Sequence, residues 1–364
     1  MKIFDKLGLV YFVMPMIFVV ENKIPFLLSI ILGRRKIKLK VSNTNLEFFD
    51  YEFGLVLCLL LLLTFSINYK ISNKQLKVSL DSKNFFEFDL NNLTYEDKNL
   101  ILTLGLGARH GGDFTIGKNK KLLREKSFKI YEVENKKIIE TFNGIKFYLD
   151  SIHPGNTIVE TYIQKIHHVN NELDFNGKTV IDIGAECGDT ALYYASLGAK
   201  VLAFEPMPEH FRDMMKNLSL NPDLSKNIIA INCAIGEDGE LTFYQNKDGK
   251  VGGTSFLVNE HGNEANKTIV KGLSFSSLFN EYKLEDVYLL KMDCKGCERF
   301  LDSDVLNRVK QIKIEYEEKY NKMDIMSFLQ KLESSMFENQ VYRINPISNR
   351  ISNKHSCHIF GKKL

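Results

Sequence analysis

The chain has 364 residues, of which 44% are hydrophobic and 26% charged, a balance that excludes wholesale disorder and collagen-like repeats. Its 48 basic and 45 acidic residues give a net charge of only +3, so there is no electrostatic case for nucleic acid as the main partner. Six cysteines are too few for a disulfide scaffold, and reduced thiols in a cytoplasmic protein are the expectation. The length suits about two domains.

The first apolar stretch covers residues 7–33 and is interrupted by Glu21 and Lys23. A helix that crosses a bilayer needs about 20 apolar residues without such charges, so we favour a helical segment of a folded domain over residues 1–36. The basic residues that follow would suit a cytoplasmic membrane surface. A peripheral membrane contact through residues 7–40 and a true membrane span are the alternatives.

The second apolar stretch, residues 53–69, holds 17 uncharged residues and is short for a membrane span. It predicts a buried helix that leads into a β-rich accessory subdomain over residues 37–150. Alternating apolar residues and turn-forming residues predict six short strands in this subdomain: 37–41, 75–80, 85–90, 128–133, 137–140 and 145–149.

A glycine-rich segment at residues 101–112 superficially resembles a nucleotide-binding loop. A phosphate-binding loop must open a helix, because the backbone N–H groups of that helix bind the anion. No helical period follows this segment, so we predict a plain glycine loop.

The pattern of predicted elements changes over residues 151–364, where strands and helices alternate. Thr157 and Glu160 form a capping-box pattern at the start of a helix. Strands are predicted at 179–183, 201–204, 228–232, 287–292 and 309–314, and helices at 189–197 and 209–218. Such alternation predicts an α/β domain with a mostly parallel sheet and helices on both faces.

Candidate binding residues follow the first two of these strands. Asp182 ends the first strand, Gly184 allows a close backbone approach, and Gly188 stands where the turn enters a helix. Glu205 ends the second strand 23 residues after Asp182, where an acid can accept two hydrogen bonds from a ribose diol. Pro206 stops that strand.

The charge of this turn favours one cofactor class. The turn lacks the three glycines of a dinucleotide fingerprint and carries acids at Asp182, Glu186 and Asp189. These carboxylates would repel a pyrophosphate but suit S-adenosylmethionine, whose sulfonium and ammonium groups are positive.

Four motifs in order resemble the FkbM-type methyltransferases: Val-Ile-Asp-Ile-Gly-Ala, Ala-Phe-Glu-Pro, Asn-Cys-Ala-Ile-Gly and Leu-Leu-Lys-Met-Asp-Cys-Lys-Gly-Cys-Glu. The resemblance covers residues 177–302 well and extends loosely to about residue 345. It implies a Rossmann-like class I methyltransferase sheet, preceded here by an α+β N-terminal extension. It also implies S-adenosylmethionine as cofactor and, for most of the family, methylation of hydroxyls on sugars, polyketides and related metabolites.

The resemblance also assigns cofactor residues. Asp182 and Gly184 match the motif beside the methionine part of the ligand, Glu205 matches the ribose-binding acid, and Cys233 with Ala234 matches the adenine side. The full cofactor-binding set is Asp182, Gly184, Ala185, Gly188, Glu205, Pro206, Cys233, Ala234 and Asp293.

A hydroxyl acceptor must lose its proton during attack, so a carboxylate or histidine near the strand ends would serve as base. Asp293 is the first candidate, because the turn after residue 292 should lie beside Asp182 in the sheet. Glu298 and Glu315 are the second candidates. Asp293 and Glu298 match the outer acids of the family's Asp-Val-Glu-Gly-Ala-Glu stretch, whereas Lys295 stands where the family has its middle acid.

Two further patterns have simpler interpretations. Cys294-x-x-Cys297 suggests zinc or a redox pair, but a structural zinc site needs four ligands and no second pair exists, so we expect unliganded thiols and no metal site. His167 and His168 are expected on an exposed helix end.

The leading hypothesis is therefore an S-adenosylmethionine-dependent O-methyltransferase that acts on a hydroxyl of a sugar, glycan or other small metabolite, with no nucleic acid as partner. A nucleic-acid base methyltransferase is disfavoured because the fourth strand lacks an Asn/Asp-Pro-Pro-aromatic motif. A catalytically degenerate binding or assembly subunit stays open because of Lys295. A homodimer also stays open.

Overall fold

The computed structural model describes residues 14–32, 34–49, 53–80, 85–111, 113–116, 127–152, 156–169, 172–245, 266–321, 323–342 and 356–364. Contacts between Cα atoms divide the chain into two units, Met1–Lys165 and Ile166–Leu364. Residues 7–13 and 33 of the predicted membrane-contact segment lie outside the described residues. The domain boundaries expected from sequence stay predictions.

The first described elements of the N-terminal unit are a short helix and a hairpin. A 3-10 turn, Met14–Val19, precedes helix α1, Lys23–Ile31. Strands β1, Lys36–Val41, and β2, Thr44–Phe49, pair antiparallel. Because successive side chains of a strand point to opposite faces, the apolar residues of β1 are buried while Lys36 and Lys38 are exposed.

The second apolar stretch forms the predicted buried helix, α2, Phe53–Phe65. Every residue from 55 to 63 is buried. A helix that is apolar on all sides must be covered by neighbours, which explains this complete burial.

The predicted glycine loop at residues 101–112 is wrong, because the first nine of these residues belong to helix α3, Tyr95–Arg109. Thr94 caps the helix, its hydroxyl accepting from the Asp97 N–H while the Asp97 carboxylate accepts from the Thr94 N–H. Gly105 faces α2 so closely that a Cβ there would overlap the Cys58 carbonyl group. Gly105 therefore allows two helices to approach each other closely, and the segment is a helix rather than a loop.

Seven further strands form two small sheets in this unit. The first sheet holds β3–β5 and the second β6–β9. Their bounds are Asn68–Ser72, Gln75–Ser79, Phe86–Asp89, Asp113–Ile116, Ser127–Val133, Lys136–Glu140 and Lys146–Tyr148. The unit closes with a 3-10 turn, a short helix α4 and a π-helical turn: Leu149–Ser151, Asn156–Ile158 and Val159–Ile163.

A seven-stranded sheet organises the C-terminal unit. Its strands β10, β11, β12, β16, β17, β18 and β19 are Thr179–Ile183, Lys200–Phe204, Ile228–Ile231, Val287–Met292, Val309–Glu317, Phe337–Tyr342 and Ser356–Lys363. Numbered one to seven along the chain, they lie in the order 3-2-1-4-5-7-6. The seventh strand runs antiparallel to both of its neighbours, whereas the first five are mutually parallel. The predicted class I methyltransferase sheet is confirmed.

Helices connect these strands, and apolar side chains cover one face of the sheet. Helices α5 to α11 are Asp189–Ser196, Pro208–Ser219, Pro222–Ser225, Phe275–Glu281, Ser303–Asn307, Glu318–Asn321 and Ile325–Ser334. The core includes Ile183, Met292 and Ile314, which are register partners on three adjacent strands. This core fixes the register of the strands whose ends carry the candidate site.

A second, three-stranded sheet lies outside the main one and was not anticipated from sequence. It pairs β13, β15 and β14, in that order, which are Ala234–Ile235, Asn266–Leu273 and Gly239–Gln245. The unanticipated strands β2 and β3 pair with β1 and β4 in hairpins with two-residue turns. The unanticipated strands β18 and β19 depend instead on pairing between segments farther apart in the chain.

Among the helices of the described part of the chain, none combines the length and the apolar character that a membrane crossing requires.

We predict that Gly105→Ala destabilises the N-terminal unit by about 1–3 kcal/mol, because the added methyl group overpacks the contact with α2. Gly54 is the matched control, since a Cβ at that helical position meets nothing within 4 Å. Gly54→Ala should be neutral or stabilising by up to about 1 kcal/mol. Urea unfolding midpoints of the two variants test this, and equal midpoints would show that the helices are not in close contact at Gly105.

Candidate active site

The site is built around the turn that follows β10. Gly184 adopts φ of +75°, and a Cβ there would overlap the carbonyl oxygen of Asp293, which follows β16. The Asp293 N–H donates to the Ile183 carbonyl oxygen at 2.9 Å. The expectation that these two turns are neighbours is met, and the backbone that approaches Gly184 is that of Asp293.

The rest of the glycine turn is fixed by backbone hydrogen bonds. The N–H groups of Gly184 and Ala185 both donate to the Phe204 carbonyl oxygen, at 2.9 and 3.0 Å. Gly188 caps α5 with φ of +82°, a left-handed conformation that favours glycine. These contacts join the turn after β10 to the end of β11.

Asp182 lies beneath this turn and is fully buried. One carboxylate oxygen is 2.9 Å from the Lys291 ammonium, and the other accepts a hydrogen bond from the Thr190 hydroxyl at 2.5 Å. The Lys291 ammonium also donates to the Gly184 carbonyl oxygen at 3.1 Å. Both oxygens of Asp182 thus contact protein groups, and its role in binding a cofactor stays a prediction.

Lys291 was not anticipated from sequence. Burial acts to lower the pKa of this lysine, but the charges of Asp182, Asp293 and Asp189 outweigh it and raise the pKa above its usual value. The lysine is therefore charged inside the protein. The sequence did hold a signal for this residue, namely a single cation between Leu290 and Met292 in an otherwise apolar strand. Because a buried charge requires a partner, such a lysine predicts a buried ion pair.

Glu205 ends β11 and is 4% exposed. One oxygen of its carboxylate accepts from the Glu186 N–H and the other from the Met207 N–H, both at 2.9 Å. The His210 ring nitrogen lies 3.6 Å from the second oxygen. Burial lowers the pKa of His210, but the hydrogen bond and charge of Glu205 outweigh it and raise the pKa.

The other predicted residues near Glu205 follow its strand or the next one. The Asn232 side chain donates to the carbonyl oxygens of Glu205 and Pro206, at 2.8 and 3.0 Å. Cys233 is buried after β12, and burial raises the pKa of its thiol to about 11. Ala234 begins the small sheet. The cysteine is thus a neutral, unreactive thiol.

The turn after β16 carries a cluster of charges centred on Lys295. The Lys295 ammonium lies 3.1 Å from Asp293, 3.1 Å from Glu315 and 3.0 Å from Glu317. The first two of these acids are predicted catalytic residues, and Glu317 was not anticipated. Three acids therefore surround one cation that stands in place of the family's middle acid.

The carboxyl groups of Asp293 and Glu315 differ in protonation state. Burial acts to raise the pKa of Asp293, but Lys295, Lys291 and a hydrogen bond with Glu315 lower it well below its usual range. Burial and the charge of Asp293 raise the pKa of Glu315. Asp293 is therefore an ionised acceptor, and Glu315 is the member of the pair that retains a proton.

Glu298 lies below the turn and is completely buried. It belongs to the 3-10 turn Cys297–Phe300, and its carboxylate accepts from the Gly296 N–H at 2.8 Å. Burial raises its pKa to about 7. Its contacts support the shape of the turn, and its catalytic role stays a prediction.

The expectation of free thiols in Cys294-x-x-Cys297 is wrong, because these two cysteines form a disulfide. Lys295 and Gly296 between them adopt positive φ, which turns the chain and brings the two Cα atoms to 5.7 Å. The other four cysteines are free and buried. The disulfide closes the turn between Asp293 and Glu298.

The expectation of an exposed His167–His168 pair is also wrong. His167 is buried, and its carbonyl oxygen accepts a hydrogen bond from the Tyr194 hydroxyl. The His168 ring stacks on Tyr193 with centroids 4.1 Å apart. Packing against α5 thus buries a segment whose two polar residues suggested a solvent-exposed end.

Two unanticipated basic residues, His358 and Lys313, lie on the Glu315 face of the sheet. His358 is the register partner of Glu315, and its ring lies 6.4 Å from that of His167. Burial lowers the pKa of His358 to about 4, and burial also lowers that of His167. Lys313, on the same face of β17, has a pKa lowered by burial to about 8. The two imidazoles are therefore neutral at pH 7.

In the described ranges, no group of three or more histidine, cysteine or acidic side chains could hold a metal ion.

The buried Glu298 predicts a pH dependence of stability. Its pKa of about 7 in the folded chain lies above the value of an exposed glutamate, so the folded chain holds a proton that the unfolded chain releases between about pH 4.5 and 7. The free energy of unfolding should therefore fall by about 3 kcal/mol as pH rises through this window.

Urea unfolding at a series of pH values measures this fall. Glu298→Gln should remove that part of the slope, whereas Glu285→Gln, at an exposed position, should retain it. Identical slopes for Glu298→Gln and the wild type would contradict a raised pKa at Glu298.

Comparison with known proteins gives a family-model match over less than half of the chain. Residues 182–344 match the family model of the methyltransferase FkbM domain. Uncharacterized protein 65 of Sulfolobus islandicus filamentous virus (isolate Iceland/Hveragerdi) is 23% identical over 150 residues. That alignment covers 41% of this chain, and the chain spans 66% of the length of this curated relative.

Three solved structures are similar at 12–15% identity. The fibrillarin pre-rRNA processing protein of Methanococcus jannaschii has 15% identity and a TM-score of 0.37, with 81% of this chain and 98% of that chain covered. SMU.1697c of Streptococcus mutans, in complex with SAH, has 14% identity and a TM-score of 0.36, with 55% and 96% covered. Precorrin-6y C5,15-methyltransferase of Geobacter metallireducens has 12% identity and a TM-score of 0.31, with 52% and 81% covered. At such TM-scores, the assignment of the fold rests on the strand order of the chain itself.

Proposed function

We propose that the protein transfers the methyl group of S-adenosylmethionine to a hydroxyl of a sugar, glycan or other small metabolite. The match of residues 182–344 to the methyltransferase FkbM domain supports this proposal. The observation that carries the proposal is Glu205 at the end of the second strand, where its carboxylate accepts a hydrogen bond from the Glu186 N–H in the glycine turn of the first. In open α/β sheets, ligands bind at the carboxyl ends of the strands where the strand order reverses, which here is between β10 and β16.

The residues present at this edge fit a cationic cofactor. Burial raises the pKa of the Cys187 thiol well above its usual value, and the charges of Asp189 and Glu186 raise it further, which indicates a negative environment in the turn. Glu205 and the glycine turn would hold the cofactor, which supplies an electrophilic methyl group on positively charged sulfur. A dinucleotide would have to place its pyrophosphate among the same carboxylates.

The acceptor side is proposed to be the turn after β16. Asp293 is ionised and partly exposed, so its carboxylate can accept a hydrogen bond from an acceptor hydroxyl and orient its oxygen. Strong pairing with Lys295 makes Asp293 a weak base, and Glu315 already holds a proton. The buried imidazoles of His167 and His358 are neutral at pH 7, but burial lowers their pKa values and so makes them weak bases as well, and the base that receives the hydroxyl proton is not assigned.

We predict that Glu205→Gln weakens binding of S-adenosylhomocysteine by more than roughly tenfold, or about 1.4 kcal/mol, because one of two acceptor oxygens becomes a donor. Isothermal titration calorimetry measures this. Glu209→Gln is the matched control, since Glu209 is exposed in the first turn of α6. Equal affinities for Glu205→Gln and the wild type would remove Glu205 from the site, and no heat from the wild type would overturn the cofactor assignment.

We also predict that Asp293→Asn lowers the rate of methyl transfer more than it lowers cofactor affinity. The loss of charge affects the orientation of the acceptor, whereas the cofactor is held mainly by Glu205 and the glycine turn. Transfer of label from methyl-labelled S-adenosylmethionine into small-molecule extracts, beside calorimetry, measures both quantities. Asp304→Asn, at an exposed position, is the control, and equal losses in both measurements would move Asp293 to the cofactor side.

A binding or assembly subunit is the second candidate function, and one observation favours it. Lys295 pairs with Asp293 and Glu315, so two predicted catalytic acids are bound to an internal cation. The same labelling experiment separates the two functions. Binding of S-adenosylhomocysteine without label transfer from any extract would favour the subunit, whereas transfer that depends on Asp293 would favour the enzyme.

A further inference from the structure

The N-terminal unit exposes a row of large apolar side chains. Ile24 is 72% exposed, Leu28 is 43% exposed, and Leu32, directly after α1, is 59% exposed. Residues four apart share one face of a helix, and these three lie opposite the buried Phe26 and Ile30. The helix therefore packs one apolar face inward and leaves a second one in solvent.

The exposed row continues onto the turn before the helix. Phe18 is 82% exposed, and the Lys23 ammonium lies 5.9 Å from the centre of its ring. A single exposed apolar residue needs no explanation, but a continuous group of them usually marks an interaction site. We call this group the α1 face, which consists of Phe18, Ile24, Leu28, Ile31 and Leu32.

Positive charge is concentrated beside the α1 face. Residues 14–49 contain six basic and two acidic residues, whereas the whole chain has 48 and 45. The two acids are already paired, Glu21 with Lys40 at 3.0 Å and Glu47 with Lys36 at 2.5 Å. Within residues 14–49, these two ion pairs use both acids and leave four of the six basic residues outside them.

Arg34 and Arg35 are the clearest of these basic residues. Both are exposed, and neither side chain forms an ion pair with any residue in the described ranges. Lys36 and Lys38 point outward from β1 on the solvent side of the hairpin. Long basic side chains can lay their aliphatic stems along an apolar surface while their charged ends reach lipid phosphates.

We propose that the α1 face and the basic residues 34–38 bind the surface of an anionic lipid bilayer. Stable membrane attachment by a peripheral protein takes two signals, apolar insertion and attraction to anionic headgroups, and both occur within this segment. Helix α1 has nine residues, which span about 14 Å, so it lies in the interface plane rather than crossing the bilayer. The proposal is independent of the methyltransferase function.

Charge complementarity favours a bilayer over a protein partner. A protein would need an apolar centre with an acidic rim that matches residues 34–38. An anionic bilayer presents an apolar interior beneath a negative surface to any helix that lies on it, so the two signals need no matched contour. The interaction should weaken as salt is raised, because the charges are exposed.

Co-sedimentation of the full chain with vesicles tests the proposal. One set of vesicles consists of phosphatidylcholine alone, and the other contains one third phosphatidylglycerol. We expect binding to the anionic vesicles, little to the neutral ones, and a decline at high salt. No binding to either set, or equal binding to both, would overturn the proposal.

Two double variants separate the two signals. Arg34→Ser with Arg35→Ser should lower partition into anionic vesicles by about 30-fold, since each basic residue near the surface contributes roughly five- to sixfold. Ile24→Ser with Leu28→Ser should lower it by tenfold or more through lost apolar insertion.

Matched controls lie in the C-terminal unit. Lys200→Ser with Lys283→Ser removes two exposed lysines, and Ile269→Ser removes an apolar residue that is 65% exposed. Both controls should bind vesicles as the wild type does, and circular dichroism checks that all variants fold. If the α1 variants bind vesicles like the controls, the proposal fails. The proposal also fails if the wild type self-associates in analytical ultracentrifugation and the only effect of the α1 variants is to make the protein monomeric. The α1 face would then bind a second copy of the chain.

Discussion

The buried ion pair between Asp182 and Lys291 is the interaction on which the candidate site depends. It joins the first and fourth strands of the sheet, where the strand order reverses. Removing one partner of such a pair costs about 3–5 kcal/mol, whereas replacing both by apolar groups is often neutral. The main effect of this ion pair is to hold the turn after β10 in position, because the Lys291 ammonium also donates to the Gly184 carbonyl oxygen.

The charge cluster on Lys295 sets the chemistry of the neighbouring turn. In water three acids around one lysine would each gain little, but the partial burial of this cluster strengthens every pairing. Asp293 is consequently held ionised and Glu315 holds a proton, which separates two carboxyl groups that look equivalent in the sequence. The disulfide between Cys294 and Cys297 limits how far the turn can move away from this arrangement.

Sequence patterns predicted the parts of this molecule that local chemistry decides. The apolar strands β10 and β16 were predicted correctly because buried parallel strands have a strong local signature. The position of Glu205 at the end of β11 was predicted from the same pattern, while its role toward a ribose stays a proposal. Strand β19 was missed because it lies between β17 and β18 in the sheet, and its own residues show no local pattern that predicts this pairing. The partners of Lys291 and Lys295 were missed for a related reason, since charge pairing depends on which strands become neighbours.

Two glycines show where the prediction of secondary structure from sequence succeeds and where it fails. Gly105 and Gly184 both stand where a backbone carbonyl of another element occupies the space of a Cβ. Gly184 has positive φ and belongs to a turn, whereas Gly105 lies inside a helix at a cost of about 1 kcal/mol relative to alanine. The glycine itself therefore reports only a close backbone approach. The element that contains it is revealed by the flanking residues, and the Thr94–Asp97 capping box already marked a helix start ahead of Gly105.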